Sequence, residues 1–228
     1  MPGVKAVLFD FDYTLADSSE AIVDCVNHAL VGMGLSPAEP EAIHRGIGLG
    51  LVEIFQRLTG LDGDLAGEFR RRFIERADEV MSDGTHLYPW VPDTLHALRD
   101  RGLALGIVST KRRHRIAGVL ERDGLAPLFG TIVGADMVER LKPDPEPLLL
   151  ALDHLGAAPG EALYVGDSMA DARAAAAAGV PFAGVLTGTT PREELASLGA
   201  VAVLDSAAGV PALLEGLRAR REGPSPPA

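Results

Sequence analysis

Apolar positions along this chain of 228 residues change period in a way that separates strands from helices. Val4-Lys5-Ala6-Val7-Leu8-Phe9 is a short, nearly continuous apolar run, the pattern of a strand buried on both faces. The period then changes from 2 to 3.6. Ala21, Ile22, Val26, Ala29 and Leu30 form one helical stripe, which stops near Gly32-Met33-Gly34. Pro37 and Pro40 mark a loop, and further helices are predicted over 42–45, 51–58 and 65–80. Nothing between Ser18 and Gly84 has the pattern of a good strand, so this stretch reads as a compact helical insertion.

From Leu103 onward strand and helix patterns alternate. Strands are predicted over 103–108, 131–133, 162–165, 182–186 and 201–204, and helices over 112–123, 146–155, 171–178, 191–198 and 210–220. Such alternation implies right-handed crossovers and a parallel sheet covered by helices on both faces. The predicted class is α/β. A discontinuous core (1–17 and 85–222) carries an inserted all-α unit (18–84), and a Pro-rich tail (223–228) is expected to be flexible.

Composition narrows the function. Apolar residues make up 47% of the chain, ample for a core, with aromatics at only 5%, so Ala, Val and Leu must fill most of it. Lys plus Arg number 21 against 32 Asp plus Glu, a net charge of -11, which argues against nucleic acid as a main partner. A small anionic substrate in a locally positive pocket stays compatible. The single cysteine, Cys25, permits no internal disulfide and reads as a packing residue. Asp10 and Asp12 interrupt the first apolar run, unlike a signal peptide, and no segment approaches the ~18 apolar residues of a membrane span. A cytoplasmic protein with no membrane partner is the expectation.

Four stretches at predicted strand ends carry candidate chemistry. The first is Asp10-Phe11-Asp12-Tyr13-Thr14. Alternation along a strand lets both carboxylates point one way, and two close carboxylates repel unless a hard cation such as Mg²⁺ lies between them. The pair suits phosphoryl transfer, one carboxylate attacking phosphorus while the other handles the proton. The plainer reading is a strand that ends in a turn. The second stretch, Ser109-Thr110-Lys111, puts hydroxyls and free N–H groups at a helix start, where they either hold phosphate oxygens or merely cap the helix. The basic run Lys111-Arg112-Arg113-His114-Arg115 opposes the helix dipole and suggests a nearby anion, or, at Arg112, Arg113 and Arg115, is a solvated basic face. The third is Lys142, held by a proline-stiffened loop, Leu141-Lys142-Pro143-Asp144-Pro145-Glu146-Pro147. The fourth is Gly166-Asp167-Ser168-Met169-Ala170-Asp171, which could bring a third carboxylate to the metal, or supply a helix cap and a first-turn dipole partner.

Together these four motifs, in this order, resemble the haloacid dehalogenase superfamily, in particular phosphatases with a helical cap after the first motif, similar to phosphoglycolate phosphatases. The resemblance runs from Val4 to about Leu217. It implies a Rossmann-like core, a Mg²⁺-dependent hydrolase and a small phosphorylated metabolite as substrate, the protein being a monomer or homodimer. Asp10 would be the nucleophile and a metal ligand. Asp12 would be the acid/base, with its backbone carbonyl on the metal, and Thr14 would orient Asp12. Ser109, Thr110 and Lys142 would hold the phosphoryl group. Asp167 would bind metal, with Asp171 supporting the metal shell or Lys142. The insertion would be a lid, and Arg45 in Arg45-Gly46-Ile47-Gly48 would meet the substrate.

Two positions depart from the family pattern. Tyr13 stands where Gly is usual, so its ring is expected to narrow the mouth of the site. Thr110 stands where phosphoglycolate phosphatases have Asn. That residue, with Lys111 and the Lys-Pro-Asp-Pro-Glu-Pro run, is closer to a related inorganic pyrophosphatase. Dehalogenation and phosphonoacetaldehyde hydrolysis are disfavoured: their relatives lack the acid/base Asp, and the insertion contains no lysine for a Schiff base. A sugar-phosphate mutase would share Asp10 and Asp12 but differ at Ser109-Thr110-Lys111, and a non-enzymatic regulator would be expected to lose a carboxylate.

Overall fold

The computed structural model describes residues 3–219. Six parallel strands form the central sheet: β1 (Ala6–Phe9), β4 (Ala104–Val108), β5 (Thr131–Val133), β6 (Ala162–Gly166), β7 (Phe182–Val185) and β8 (Ala202–Leu204), in the order β5-β4-β1-β6-β7-β8. The chain therefore builds outward from β1 in one direction through β4 and β5. It then returns to the other side of β1 and continues through β6 to β8. At that reversal β1 lies between β4 and β6, with Phe9 in register with Ile107 and Val165. Ligand sites of open α/β sheets form at such a switch point, outside the carboxyl ends of the strands.

Alternation along β1 sends its side chains into two cores. Val7 and Phe9 pack with Leu105, Ile107, Leu163 and Val165 beneath α5 (Val91–Asp100), α6 (Arg113–Arg122) and α10 (Val210–Ala219). Ala6 and Leu8 face the opposite layer, α7 (Glu146–Leu155), α8 (Met169–Ala178) and α9 (Arg192–Ser197). The alanines of α8 bring it close to the sheet, with Ala172, Ala174 and Ala175 buried.

Four helices make the insert: α1 (Ser19–Gly32), α2 (Pro40–His44), α3 (Leu51–Thr59) and α4 (Asp64–Val80). They enclose a separate core of Cys25, Val26, Leu30, Ile43, Phe55 and Phe69, with the Phe55 and Phe69 rings 5.1 Å apart. Burial pushes the Cys25 thiol up to about 12, so it stays an uncharged packing group. An antiparallel pair, β2 (Ala16–Asp17) with β3 (His86–Leu87), joins the two chain crossings between insert and sheet. Neither this pair nor α5 is among the sequence-predicted elements. Among the described residues no helix is long and apolar enough to cross a membrane. The tail 223–228 and the last residues of the predicted core lie outside the described residues.

Candidate active site

Each of the four motifs begins where a strand leaves the sheet or a helix enters it, and all converge on one edge. Asp10 directly follows β1, Ser109 follows β4, Lys142 lies in the loop between β5 and α7, and Asp167 follows β6. Asp10, Asp167 and Asp171 are buried, and each offers a carboxylate oxygen within 4.8 Å of the others.

Lys142 is the cation beside them, paired with Asp10 and Asp171. Its ammonium has three N–H groups, and they are shared among nearby oxygens: Asp171 Oδ1 (2.6 Å), the Tyr164 hydroxyl (3.0 Å) and the Val108 carbonyl (3.3 Å). Asp10 Oδ1 lies 3.0 Å from the same nitrogen as an ion pair. Three N–H groups cannot serve four oxygens at once, and Asp10 Oδ1 has no donor besides this shared ammonium among the described residues. Burial raises the Asp10 carboxyl to about 7; Lys142 pulls it down, while Asp171 pushes it further up. Burial and then Asp171 hold Asp167 well above the usual carboxylate range. Burial alone would lower Lys142, but Asp10 and Asp171 outweigh it and keep the ammonium charged.

Three buried carboxylates with one ammonium, which pairs with two of them, leave negative charge that is costly without a further cation. The donors are all hard oxygens on three buried carboxylates, and Asp10 Oδ1 has no donor but Lys142 among the described residues. This set fits Mg²⁺. Asp171 is the least free of the three: it also accepts from Tyr164 (2.7 Å) and, through Oδ2, from the backbone and hydroxyl of Ser168 (3.0 and 2.6 Å). Asp10 and Asp167 keep the available lone pairs. Two glycines permit the crowding, since a Cβ at Gly166 would sit 2.6 Å from the Asp171 carboxyl carbon and one at Gly188 only 1.9 Å from Asp167 Oδ2.

The acid/base candidate has different neighbours from those expected. Asp12 Oδ1 accepts from the Lys111 ammonium (2.7 Å) and from the Ser18 hydroxyl (2.5 Å), and Lys111 also lies 2.8 Å from that hydroxyl. Thr14 does not orient Asp12; its hydroxyl turns to Asp167 Oδ1 at 3.3 Å. The turn that follows Asp12 carries Thr14 over the β6 end, leaving Ser18 and Lys111 to hold Asp12. Lys111 is 7% exposed. Only its position after Ser109-Thr110 signalled a role beyond the basic run.

Tyr13 is the one described non-glycine residue in the left-handed region, at φ 60°. Its N–H donates to the Ala16 carbonyl (2.7 Å) and its carbonyl accepts from the Thr187 hydroxyl, so the loop after β7 pins this turn. The ring does not narrow a mouth: it is 9% exposed and absent from the lining of the cavity beside Asp12. Burial and the carboxylates of Asp17 and Asp167 push its hydroxyl up to about 12.

That cavity, about 360 Å³, lies between insert and sheet and is lined by Asp12, Thr110 and Lys111 from the core side. Ile47, Gly48 and Leu49 reach it from the loop after α2, but Arg45 does not, being exposed at the α2 C-cap. Two carboxylates meet the basic run: Asp12, which accepts from Lys111, and Asp78 of α4. Arg115, 4% exposed, donates to it at 2.7 Å, and His114 lies 3.0 Å away. Arg115 thus ties α6 to the insert, with Arg112 and His114 beside the same carboxylate, while Arg113 is exposed.

The comparisons with known proteins agree with this geometry. The family model described as haloacid dehalogenase-like hydrolase matches residues 7–185, and the chain belongs to that family. Phosphoglycolate phosphatase of Escherichia coli (strain K12) is 36% identical over 207 residues, covering 81% of this chain and 82% of the relative. A haloacid dehalogenase-like hydrolase from Bacteroides fragilis superposes with a TM-score of 0.87 at 42% identity, covering 91% of this chain and 99% of that one. CbbY from Rhodobacter sphaeroides, solved in complex with phosphate, superposes with a TM-score of 0.75 at 27% identity, covering 91% and 96%. The chain is a hydrolase of the phosphatase kind, related to phosphoglycolate phosphatases.

Proposed function

We propose that this chain is a Mg²⁺-dependent phosphomonoester hydrolase that works through an aspartyl-phosphate on Asp10. The observation that carries the reading is the Asp10 carboxylate, buried at the end of β1 beside Lys142 within a carboxylate cluster. A carboxylate whose only donor is a shared ammonium keeps lone pairs for attack.

Asp10 would attack phosphorus as the bond to the leaving oxygen breaks, and Asp12 would give that oxygen a proton. Asp12 would then take a proton from water, which attacks phosphorus and frees phosphate and Asp10. Lys142, Ser109 and Thr110 would bind the phosphoryl oxygens. Asp10 and Asp167, with the Asp12 carbonyl, would hold Mg²⁺, and Asp171 would position Lys142. The bound ion neutralises charge on the phosphoryl oxygens. Residues 18–84 would act as the lid over a core of 1–17 and 85–222, excluding water.

Relatedness makes phosphoglycolate the first substrate to try. Thr110 and the Lys142-Pro143-Asp144-Pro145-Glu146-Pro147 run favour inorganic pyrophosphate as a second reading. Phosphate release from a panel of both, with sugar phosphates and p-nitrophenyl phosphate, tests the activity. No release from any of them with Mg²⁺ present would overturn the reading.

A further inference from the structure

The cavity beside Asp12 carries information on the leaving group, if Asp10 and Asp12 work as proposed above. Asp12 would protonate the leaving oxygen, so whatever carries that oxygen extends past Asp12, and the space it meets is this cavity of about 360 Å³. That volume falls within the ~300–1,000 Å³ of sites that enclose whole small molecules.

Its walls are largely apolar. Ile22 of α1, Ile47 and Leu49 of the loop before α3, Ile54 of α3, and Phe73 and Ile74 of α4 face it from the insert. Of the core-side cations, Lys111 and Arg115 are already engaged, and Arg112 is partly exposed. Lys111 is held by Asp12 and Ser18, Arg115 is bonded to Asp78, and Arg112 lies 3.9 Å from the same carboxylate. Arg70 lines the cavity with no ion pair among the described residues, but it is solvent-exposed. A compact anionic leaving group, such as glycolate or a second phosphate, would set its charge against isoleucine and phenylalanine walls, where burial without a partner is costly.

We propose that the preferred substrate is a phosphomonoester whose alcohol carries an apolar body of several carbons, seated among Ile22, Ile47, Leu49, Ile54, Phe73 and Ile74. Phosphoglycolate and pyrophosphate would then be poorer substrates than a longer alkyl phosphate.

The test is kcat/KM with Mg²⁺ for ethyl, butyl and hexyl phosphate, beside phosphoglycolate and pyrophosphate. Each added methylene that becomes buried should raise kcat/KM about three- to fourfold, with hexyl phosphate above phosphoglycolate. Leu49→Asn should flatten that slope. A flat or falling series, with phosphoglycolate or pyrophosphate preferred, overturns the proposal and leaves the phosphatase reading standing. No phosphate released from any of the five overturns both. A slope unchanged in Leu49→Asn, with the variant melting as the parent does, places the body elsewhere and also counts against the proposal.

Discussion

Gly188 and Asp167 stand so close that no side chain fits between them: a Cβ on Gly188 would lie 1.9 Å from Asp167 Oδ2. The loop after β7 thus forms a wall behind a carboxylate at the end of β6. Gly188→Ala should push Asp167 out of place and weaken Mg²⁺ binding about 10- to 100-fold, the usual cost of disturbing a ligand's support. Titration calorimetry checks this. Unchanged affinity in a folded variant would mean that Asp167 does not hold the metal.

Lys142 neutralises two buried carboxylates, Asp10 and Asp171. Lys142→Met removes that charge and leaves both unpaired, a loss on the order of 3–5 kcal/mol in stability. Urea unfolding in the absence of Mg²⁺ measures it. Lys142→Arg should recover little, because the planar guanidinium cannot reproduce the arrangement of Asp171, Tyr164 and Val108 around one nitrogen.

Asp10 is raised to about 7, chiefly by burial, against an ordinary value near 4 when unfolded. The folded state therefore holds a proton that the unfolded chain releases between those values. Its contribution to stability is full below about pH 4 and is lost as pH rises through about 7. Asp167, raised in the same direction, adds to the trend. Stripped of metal, the protein should melt at a higher temperature at pH 5.5 than at pH 8. Added Mg²⁺ competes with those protons, so its stabilisation should be larger at pH 8. Scanning calorimetry of both forms at both pH values tests the sign.

Asp78 fastens α4 of the insert to Arg115 of α6. The carboxylate is 43% exposed and solvent weakens the pair, so Asp78→Ala should cost only about 1 kcal/mol globally. Its larger effect should be on how the insert sits over the core. Proteolysis of the crossing near Ser82 and Thr85 should be faster in the variant than in the parent.

The strands were legible because buried parallel strands leave unbroken apolar runs, and the residues just beyond them could be read as an edge where ligands gather. Asp10, Asp12, Ser109, Lys142 and Asp167 followed from that. The misses have physical causes. Helix α5 has apolar Val91, Leu95 and Leu98 at helical spacing, but Pro89 and Pro92 gave it the look of a loop; Pro92 sits in the first turn, where no N–H is needed. The β2–β3 pair is two residues a side, too short to show a period. Contacts across great sequence separation were not readable at all. Lys111 reaches Asp12 across 99 positions, Thr14 reaches Asp167 across 153, and Gly188 announced nothing until its neighbour was known. Arg45 was chosen from its motif, whereas the insert's arginine on the cavity is Arg70, two helices further on.

The central claim is that Asp10 becomes phosphorylated. Asp12→Asn should slow hydrolysis of that intermediate more than its formation from p-nitrophenyl phosphate, whose leaving group needs little help from an acid. The variant, mixed with this substrate and Mg²⁺ and then quenched with borohydride, should give homoserine at position 10 by peptide mass spectrometry. Release of p-nitrophenol in amounts equal to the enzyme or greater, with aspartate intact at position 10, would contradict the account.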